Sequence, residues 1–323
     1  MSDLARASAA LREHASFLLM THTNPDGDAI GGAHGLALAL RKMGKRAVFY
    51  SQDTPPSYLS YLPDLDAIVN DLPDVADFDA LLVLDCGDFE RVGRVLPRVK
   101  DHSFIVNMDH HASNPNFGHV NLVDEHASST SEIVYRVLTA MDFEFDAAVA
   151  TCLYTGVISD TRSFFNTNAT PASFRACAAM VEHGADPAAI ARALFVEQPP
   201  EKARLFAEAL ATLELDVGGQ VAGMVVTNEL MKKLGVSSET LEGFVDFPLT
   251  IRGVEASYLI REVFVEGRKR IKGSVRTTER VDSTLVTGEF GGGGHRRAAG
   301  FTTDGTLADV RAHLVGILKT HLS

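Results

Sequence analysis

The chain is poor in cysteine and, relative to its acids, in positive charge. Three cysteines, Cys86, Cys152 and Cys177, stand among 323 residues, odd in number and without a CxxC pair. That argues against a disulfide framework or a thiolate zinc site and suits a reducing compartment. Lys and Arg number 30 against 42 Asp and Glu, a formal charge of −12, so the chain lacks the basic surface that grips duplex nucleic acid. No apolar run approaches the roughly 20 residues of a membrane span. The N-terminal "MSDLARASAALREHASFLLM" breaks its apolar residues with Arg6, Arg12 and Glu13, which leaves no signal-peptide core. A cytoplasmic protein is the expectation. Internal repeats and low-complexity tracts are missing as well.

What is present fills a large core. At 46% hydrophobic residues and 323 positions the chain exceeds the roughly 250–300 residues at which single cores stop growing, which favours two domains. Residues 1–203 carry 15 basic and 27 acidic side chains, whereas 204–323 carry 15 of each, so the acidity belongs to the N-terminal part. Short apolar runs, "SFLLMTH", "RAVFY", "ALLVLD" and "FIVNMD", alternate with helical segments such as 3–14 and 28–43. Runs that do not alternate with polar residues indicate a mostly parallel sheet covered on both faces. Ser129 and Glu132 predict a capping box, and Thr170, Pro171 and Gly184 bound another helix. After the Pro-containing joint "EQPPEK" the pattern turns α+β, with strands near "VAGMVVT", "ASYLIREVFV" and "RKRIKGSVRT". The fold class predicted is α/β, with an N-terminal parallel-sheet domain over 1–196, a linker over 197–204 and a smaller α+β domain over 205–323.

In an open parallel sheet, ligands gather at the carboxyl ends of the strands. Here "FLLMTHTNPDGDAIG" delivers His22, Asp26 and Asp28, "LLVLDCGD" delivers Asp85, and "FIVNMDHH" delivers Asp109, His110 and His111. The helix "AAVATCLYTGVISDT" ends in Asp160. A single Asp after an apolar run is commonly a helix cap or turn residue. Independent caps, however, have no reason to converge on one edge, and capping does not call for histidine. Carboxylate oxygens and imidazole nitrogens without thiolates suit Mn²⁺ or Mg²⁺, with Co²⁺, Fe²⁺ or Zn²⁺ as substitutes. Four carboxylates and two imidazoles together exceed what one catalytic ion takes, so two ions sharing a bridging carboxylate fit better, and Asp85, alone at its strand end, is the natural bridge. Adjacent residues leaving a strand diverge, so one of His110 and His111 is expected to bind metal while the other faces substrate, with Asp109 orienting a histidine.

The other concentrated signal is "EFGGGGHRRAAG". Gly291, Gly292, Gly293 and Gly294 let backbone amides approach an anion, and His295, Arg296 and Arg297 add donors and charge. No Lys-Ser/Thr follows the glycines, so this is not a Walker A loop. In "RKRIKGSVRT" most basic residues suit a solvated edge, while Arg276 and Ser274 are candidates to face a ligand.

Taken in order, "HTNPDGDAIG", "LDCGD", "MDHHASN", "SDT" and "FGGGGHRRAAG" resemble the DHH-DHHA1 phosphoesterases over most of the chain, in the branch of bacterial bifunctional oligoribonucleases and pAp phosphatases. The resemblance implies a dinuclear centre, usually two Mn²⁺ (or Mg²⁺ or Co²⁺), with His22 and Asp26 on the first ion, Asp28, His110 and Asp160 on the second, and Asp85 between them. It implies a substrate-side role for His111 and nucleotide contacts by Arg276, Ser274, the four glycines, His295 and Arg297. The activity implied is two-metal, hydroxide-mediated hydrolysis of short single-stranded RNA to mononucleotides and of 3'-phosphoadenosine 5'-phosphate (pAp) to AMP, by a homodimer that does not take duplex. The segment "DSTLVTGEF" departs from the family's usual run, which bears on base recognition. Two other readings use the same residues: a phosphodiesterase of cyclic or linear dinucleotides, and a non-catalytic nucleotide sensor.

Overall fold

Five runs of four or five mostly apolar residues, separated by helices, can bury both faces of their backbone ladder only by lying side by side between helical layers. The computed structural model, which describes residues 2–241, 243–265 and 267–322, builds this arrangement. The chain divides into two units, one ending at Glu197 and one beginning at Gln198.

The first unit runs α1 (Asp3–Glu13), β1 (Ser16–Met20), α2 (Gly27–Lys42), β2 (Arg46–Tyr50), β3 (Ala80–Leu84), α3 (Leu96–Val99), β4 (Ile105–Asp109), β5 (Val120–Val123), α4 (Thr130–Ala140), α5 (Ala147–Asp160), α6 (Pro171–Glu182) and α7 (Pro187–Ala191). Its sheet has the order β2-β1-β3-β4-β5, every pair parallel. Alternate residues serve two cores. Phe17, Leu19, Leu82, Leu84, Val106 and Met108 pack against Leu11, Ile30, Val134 and Leu153 of the helices. Leu18, Met20, Leu81, Val83 and Ile105 point the other way, onto Phe78, Val92 and Val99. Gly31 brings α2 against α5, because a Cβ there would lie 2.5 Å from the Cys152 carbonyl oxygen.

Two local details differ from expectation. β5 was not anticipated, as "VNLV" alternates over only four residues beside Asn and Gly. The capping box at α4 forms only half: the Ser129 hydroxyl accepts from Glu132 N, but the Glu132 carboxylate accepts from Ser128 N and Ser128 Oγ instead of reaching back to Ser129.

The second unit runs α8 (Pro200–Ala211), β6 (Glu214–Asp216), β7 (Val221–Val226), α9 (Asn228–Leu234), β8 (Ala256–Val265), β9 (Arg268–Thr277), α10 (Ser283–Gly288), β10 (Gly293–His295), β11 (Ala298–Thr303) and α11 (Leu307–Leu322). Its sheet, β10-β11-β9-β8-β7-β6, is antiparallel except for β7 beside β8. One face packs Tyr258, Ile260 and Val275 on Leu314 and Leu318 of α11; the other packs Met224, Val226 and Leu259 on Leu205 and Met231. Most of the stretch read as a linker over 197–204 is helical, since α8 starts at Pro200. Proline at the first helical position surrenders an amide that has no partner there anyway, so the two prolines start a helix instead of holding the chain open.

Candidate metal centre

β1, β3 and β4 end at the same edge, and the three loops leaving it carry the acids and imidazoles together. Asp85 follows β3 with φ of +57°, a left-handed turn uncommon outside glycine. Its carboxylate is the meeting point: His22 Nε2 lies 3.5 Å from Asp85 Oδ2, and His110 Nε2 lies 3.6 Å from Asp85 Oδ1. The same His110 nitrogen is 3.8 Å from Asp160 Oδ2 at the end of α5. Two donor triads result, His22–Asp26–Asp85 and Asp85–His110–His111, each with its ligand atoms within 4.8 Å of one another and with Asp85 common to both.

Backbone amides fix the acids. Asp26 caps α2, its Oδ1 accepting from Asp28 N and Ala29 N at 3.0 Å each. Asp28 is fully buried, and its two oxygens accept from Thr130 N at 2.7 Å and Ser131 N at 2.9 Å, the first amides of α4. Thr130 Oγ1 donates to Asp85 Oδ1 at 3.0 Å. Asp109, also buried, accepts His110 N, His111 N and His111 Nδ1 on Oδ1 and Asn114 Nδ2 on Oδ2. Asn168 Nδ2 donates to Asp160 Oδ2 at 3.0 Å.

Thr130, Asn114 and Asn168 escaped the sequence reading. Their signals were a residue directly after an N-cap, an Asn five places beyond Asp109, and an Asn in a polar loop, none of which differs from ordinary turn chemistry.

Burial and crowding set the charges. Desolvation, then the neighbouring Asp85 and Asp160, hold the Asp28 carboxyl well above the usual range. Burial lifts Asp160 to about 6, against the pull of His110. Asp85 goes the other way: burial opposes its ionisation, but the hydrogen bond from His22 and the charges of His110, His111 and His22 bring it below its ordinary value. His111 is raised, first by its hydrogen bond to Asp109. Carboxylates pushed upward by one another in a buried cluster are short of positive charge.

The donor set fits divalent cations. His22 Nδ1 lies 2.8 Å from the Thr23 carbonyl oxygen and His110 Nδ1 lies 3.4 Å from that of Ala127. A carbonyl only accepts, so each ring donates from Nδ1 and turns Nε2 toward Asp85, the atom left to bind a metal. Cys86, the one thiol in the adjoining loop, is packed in the core beneath the sheet.

The expected divergence of His110 and His111 does not occur. β4 ends at Asp109, and that residue's Oδ1 gathers the next two amides into a turn, so strand alternation no longer applies. Both rings reach Asp85 Oδ1, at 3.6 and 3.7 Å, with their centroids 4.8 Å apart. They differ in their partners: His111 Nδ1 is 2.7 Å from Asp109 Oδ1, whereas His110 Nδ1 faces a backbone carbonyl.

In the second unit the glycine stretch is partly a strand. β10 pairs His295 with Ala298, and Ala298 faces Arg276 on β9, so His295 and Arg276 share one cross-strand row. Gly293, Gly300 and Ser274 form the next row. Gly291 and Gly294 take φ of +69° and +147°, positions closed to most side chains, and Gly292 leaves 2.3 Å between a would-be Cβ and the Gly300 carbonyl oxygen. Arg276 pairs with Asp246 at 3.2 Å, and Arg297 sits exposed in the hairpin turn.

Acids and imidazoles gathered at the carboxyl edge of a five-stranded parallel sheet, in a chain with a second mixed-sheet unit, make this an α/β protein with a candidate divalent-metal site. The family described as "DHH family, N-terminal domain" matches residues 16–157. A bifunctional oligoribonuclease and PAP phosphatase, NrnA, of Thermus thermophilus is 33% identical over 292 residues, covering 90% of this chain and 85% of that one. A protein of the same description from Bacillus subtilis is 24% identical over 88% of each chain. Among solved structures, an exopolyphosphatase-related protein from Bacteroides fragilis superposes with a TM-score of 0.86 at 24% identity, over 99% of this chain and 95% of that one. The chain belongs to the DHH family.

Proposed function

We propose that this protein is a divalent-metal-dependent phosphoesterase that hydrolyses short single-stranded oligoribonucleotides to mononucleotides and pAp to AMP. The observation that carries the reading is Asp85 shared between two histidine-containing donor triads. Similarity to the Thermus oligoribonuclease and PAP phosphatase supports the substrate class.

His22, Asp26 and Asp85 would hold one cation, and Asp85, Asp28, His110 and Asp160 a second, Mn²⁺ being the natural choice for this mixture of donors. Such cations supply charge neutralisation at phosphorus and acidify water. The chain's own groups do the rest. Asp28 is anchored by two α4 amides and Asp85 by the Thr130 hydroxyl, so the acids keep their spacing when charge changes around them. His111, held at Nδ1 by Asp109, presents Nε2 to donate a proton to the leaving oxygen, and the raised affinity of the ring for its proton suits that task. Ser274, Arg276, His295, Arg297 and the amides of Gly291 to Gly294 are assigned to the terminal nucleotide.

The test is to incubate the protein with Mn²⁺ and, in parallel, pAp, pApA, a short single-stranded RNA, cyclic di-AMP and pyrophosphate, beside an Asp85→Ala control. AMP released from the short linear substrates and lost in the control is the expected result. Nucleotide binding without cleavage under any divalent metal would overturn the reading.

A further inference from the structure

Away from the acid–imidazole cluster, the second unit holds a cavity of about 500 Å³ that no step of the proposed reaction uses. That volume lies within the roughly 300–1,000 Å³ of small-molecule sites. Its floor is a row across the sheet: Arg261 of β8 faces Lys272 of β9, which faces Thr302 of β11, so all three side chains leave one face. α9 walls it with Asn228 and Lys232, and Phe264 stands at the rim, 61% exposed.

Three of the side chains here, Arg261, Lys272 and Asn228, offer donors without an acceptor among the described residues. Arg261 is half-buried and, among the described residues, faces no carboxylate; desolvation alone pulls its pKa down. Lys272 has no ion-pair partner among the described residues either. The Asn228 backbone N–H donates to Glu262 Oε2 at 3.1 Å, and that carboxylate is also taken by Lys269. Asn228 Nδ2, however, is buried with no hydrogen-bond partner. Buried amide donors normally have an acceptor, and Arg or Lys donors bind phosphate oxygens through charge-assisted hydrogen bonds. Snorkelling of long side chains accounts for Lys232, whose Nζ lies 5.8 Å from the Phe264 ring centroid, but not for the orphaned amide.

We propose that this cavity binds a mononucleotide, its phosphate held by Arg261, Lys272 and Asn228 Nδ2 and its base stacked on Phe264. The site differs from the row of Arg276 and His295: Lys272 precedes Arg276 by four residues of an extended strand, about 13 Å. It stands on its own observations, whether or not the phosphoesterase reading holds.

The experiment is calorimetric titration of the full chain, free of divalent metal, with AMP, adenosine and inorganic phosphate, accompanied by hydrogen exchange. AMP is expected to protect residues 226–238 and 258–273 and to bind more tightly than adenosine or phosphate alone. Arg261→Gln and Lys272→Gln should each weaken AMP by about tenfold, the loss of one charge-assisted contact, while hydrolysis of short RNA stays unchanged. Phe264→Ala should weaken AMP and leave phosphate untouched. Should Arg261→Gln fail to fold, the exposed Lys272→Gln carries the comparison. Equal AMP affinity in the variants would overturn the proposal. So would protection of these segments by a short single-stranded RNA but not by AMP, which would make the cavity part of a strand path.

Discussion

Replacing Gly156 by alanine puts the packing beneath the candidate centre to a quantitative test. In the middle of a helix this change ordinarily stabilises by about 1 kcal/mol, because alanine loses less backbone freedom. Here the new Cβ would sit 1.8 Å from Ser131 Oγ, 2.6 Å from Ser131 Cβ and 2.7 Å from Asp28 Oδ1. Rotating Ser131 relieves only the first contact and gives up its 3.4 Å hydrogen bond to the Asp28 carbonyl. Reaching even the 3.0 Å that carbon contacts essentially never undercut demands 0.4 Å from Ser131 (3.0 − 2.6) and 0.3 Å from Asp28 (3.0 − 2.7). Overpacking of this kind costs about 1–3 kcal/mol, so after the helix gain a net loss of up to about 2 kcal/mol is expected. That is a fall in Tm of up to about 8 °C. Because the displaced atom is the Asp28 carboxylate, turnover of short RNA should fall about 10- to 100-fold, more than the stability change alone explains. Adding Ser131→Gly removes two of the three contacts and should restore part of the Tm, yet not the activity, since the Asp28 contact persists. A Gly156→Ala protein as stable as the parent, with undiminished turnover, would refute the close packing of α5 on α4 and Asp28.

Other expectations follow from the same cluster. Mn²⁺ at about a hundred times its Kd should raise stability by about 2.7 kcal/mol in a thermal melt, and Asp85→Asn should abolish the shift. Asn168→Leu frees Asp160 from its 3.0 Å hydrogen bond and should weaken Mn²⁺ binding about 10- to 100-fold, read by metal titration of the folded protein. Thr130→Val deletes the hydroxyl donor to Asp85 while leaving the Thr130 amide on Asp28, so turnover should drop while the Tm moves by only about 1 kcal/mol equivalent. Asn114→Leu strands Asp109 Oδ2 in the core and takes one of two acceptors from Asn107 Nδ2, which keeps Asn121 Oδ1; a loss of about 2–3 kcal/mol in urea unfolding is expected, and an unchanged midpoint would contradict the network.

The strands that place the site were readable because parallel strands buried on both faces write themselves as unbroken apolar runs, as "ALLVL" and "IVNMD" do. β8 and β9 were readable for a different reason, ten residues each of largely β-branched, aromatic and basic character. β5, β10 and β11 were not: "VNLV", "GGH" and "AAGFTT" owe their conformation to the neighbours they pair with, and glycine carries no strand preference of its own. At the site, charged residue types at strand ends announced themselves. What orients them did not, because Thr130 and Asn114 act through a hydroxyl and an amide whose partners lie 45 residues back in the chain or inside a turn. The side-by-side approach of His110 and His111 to Asp85 was hidden for the same reason, since it depends on Asp109 folding the chain over its own carboxylate.

Three helices aim their ends at this cluster, and they do not agree in sign. α2 and α4 begin there, with their amides on Asp26 and Asp28, whereas α5 finishes there at Asp160. Helix starts carry partial positive charge and helix ends partial negative charge. The backbone alone therefore lays a fixed field gradient across a few ångströms, comfortable for an anion on the α2–α4 side and hostile on the α5 side. No proton can titrate that gradient and no side-chain substitution can delete it. The centre thus has a built-in polarity that does not titrate but that salt screens, holding the carboxylates of Asp26 and Asp28 at helix starts and leaving Asp160 at a helix end.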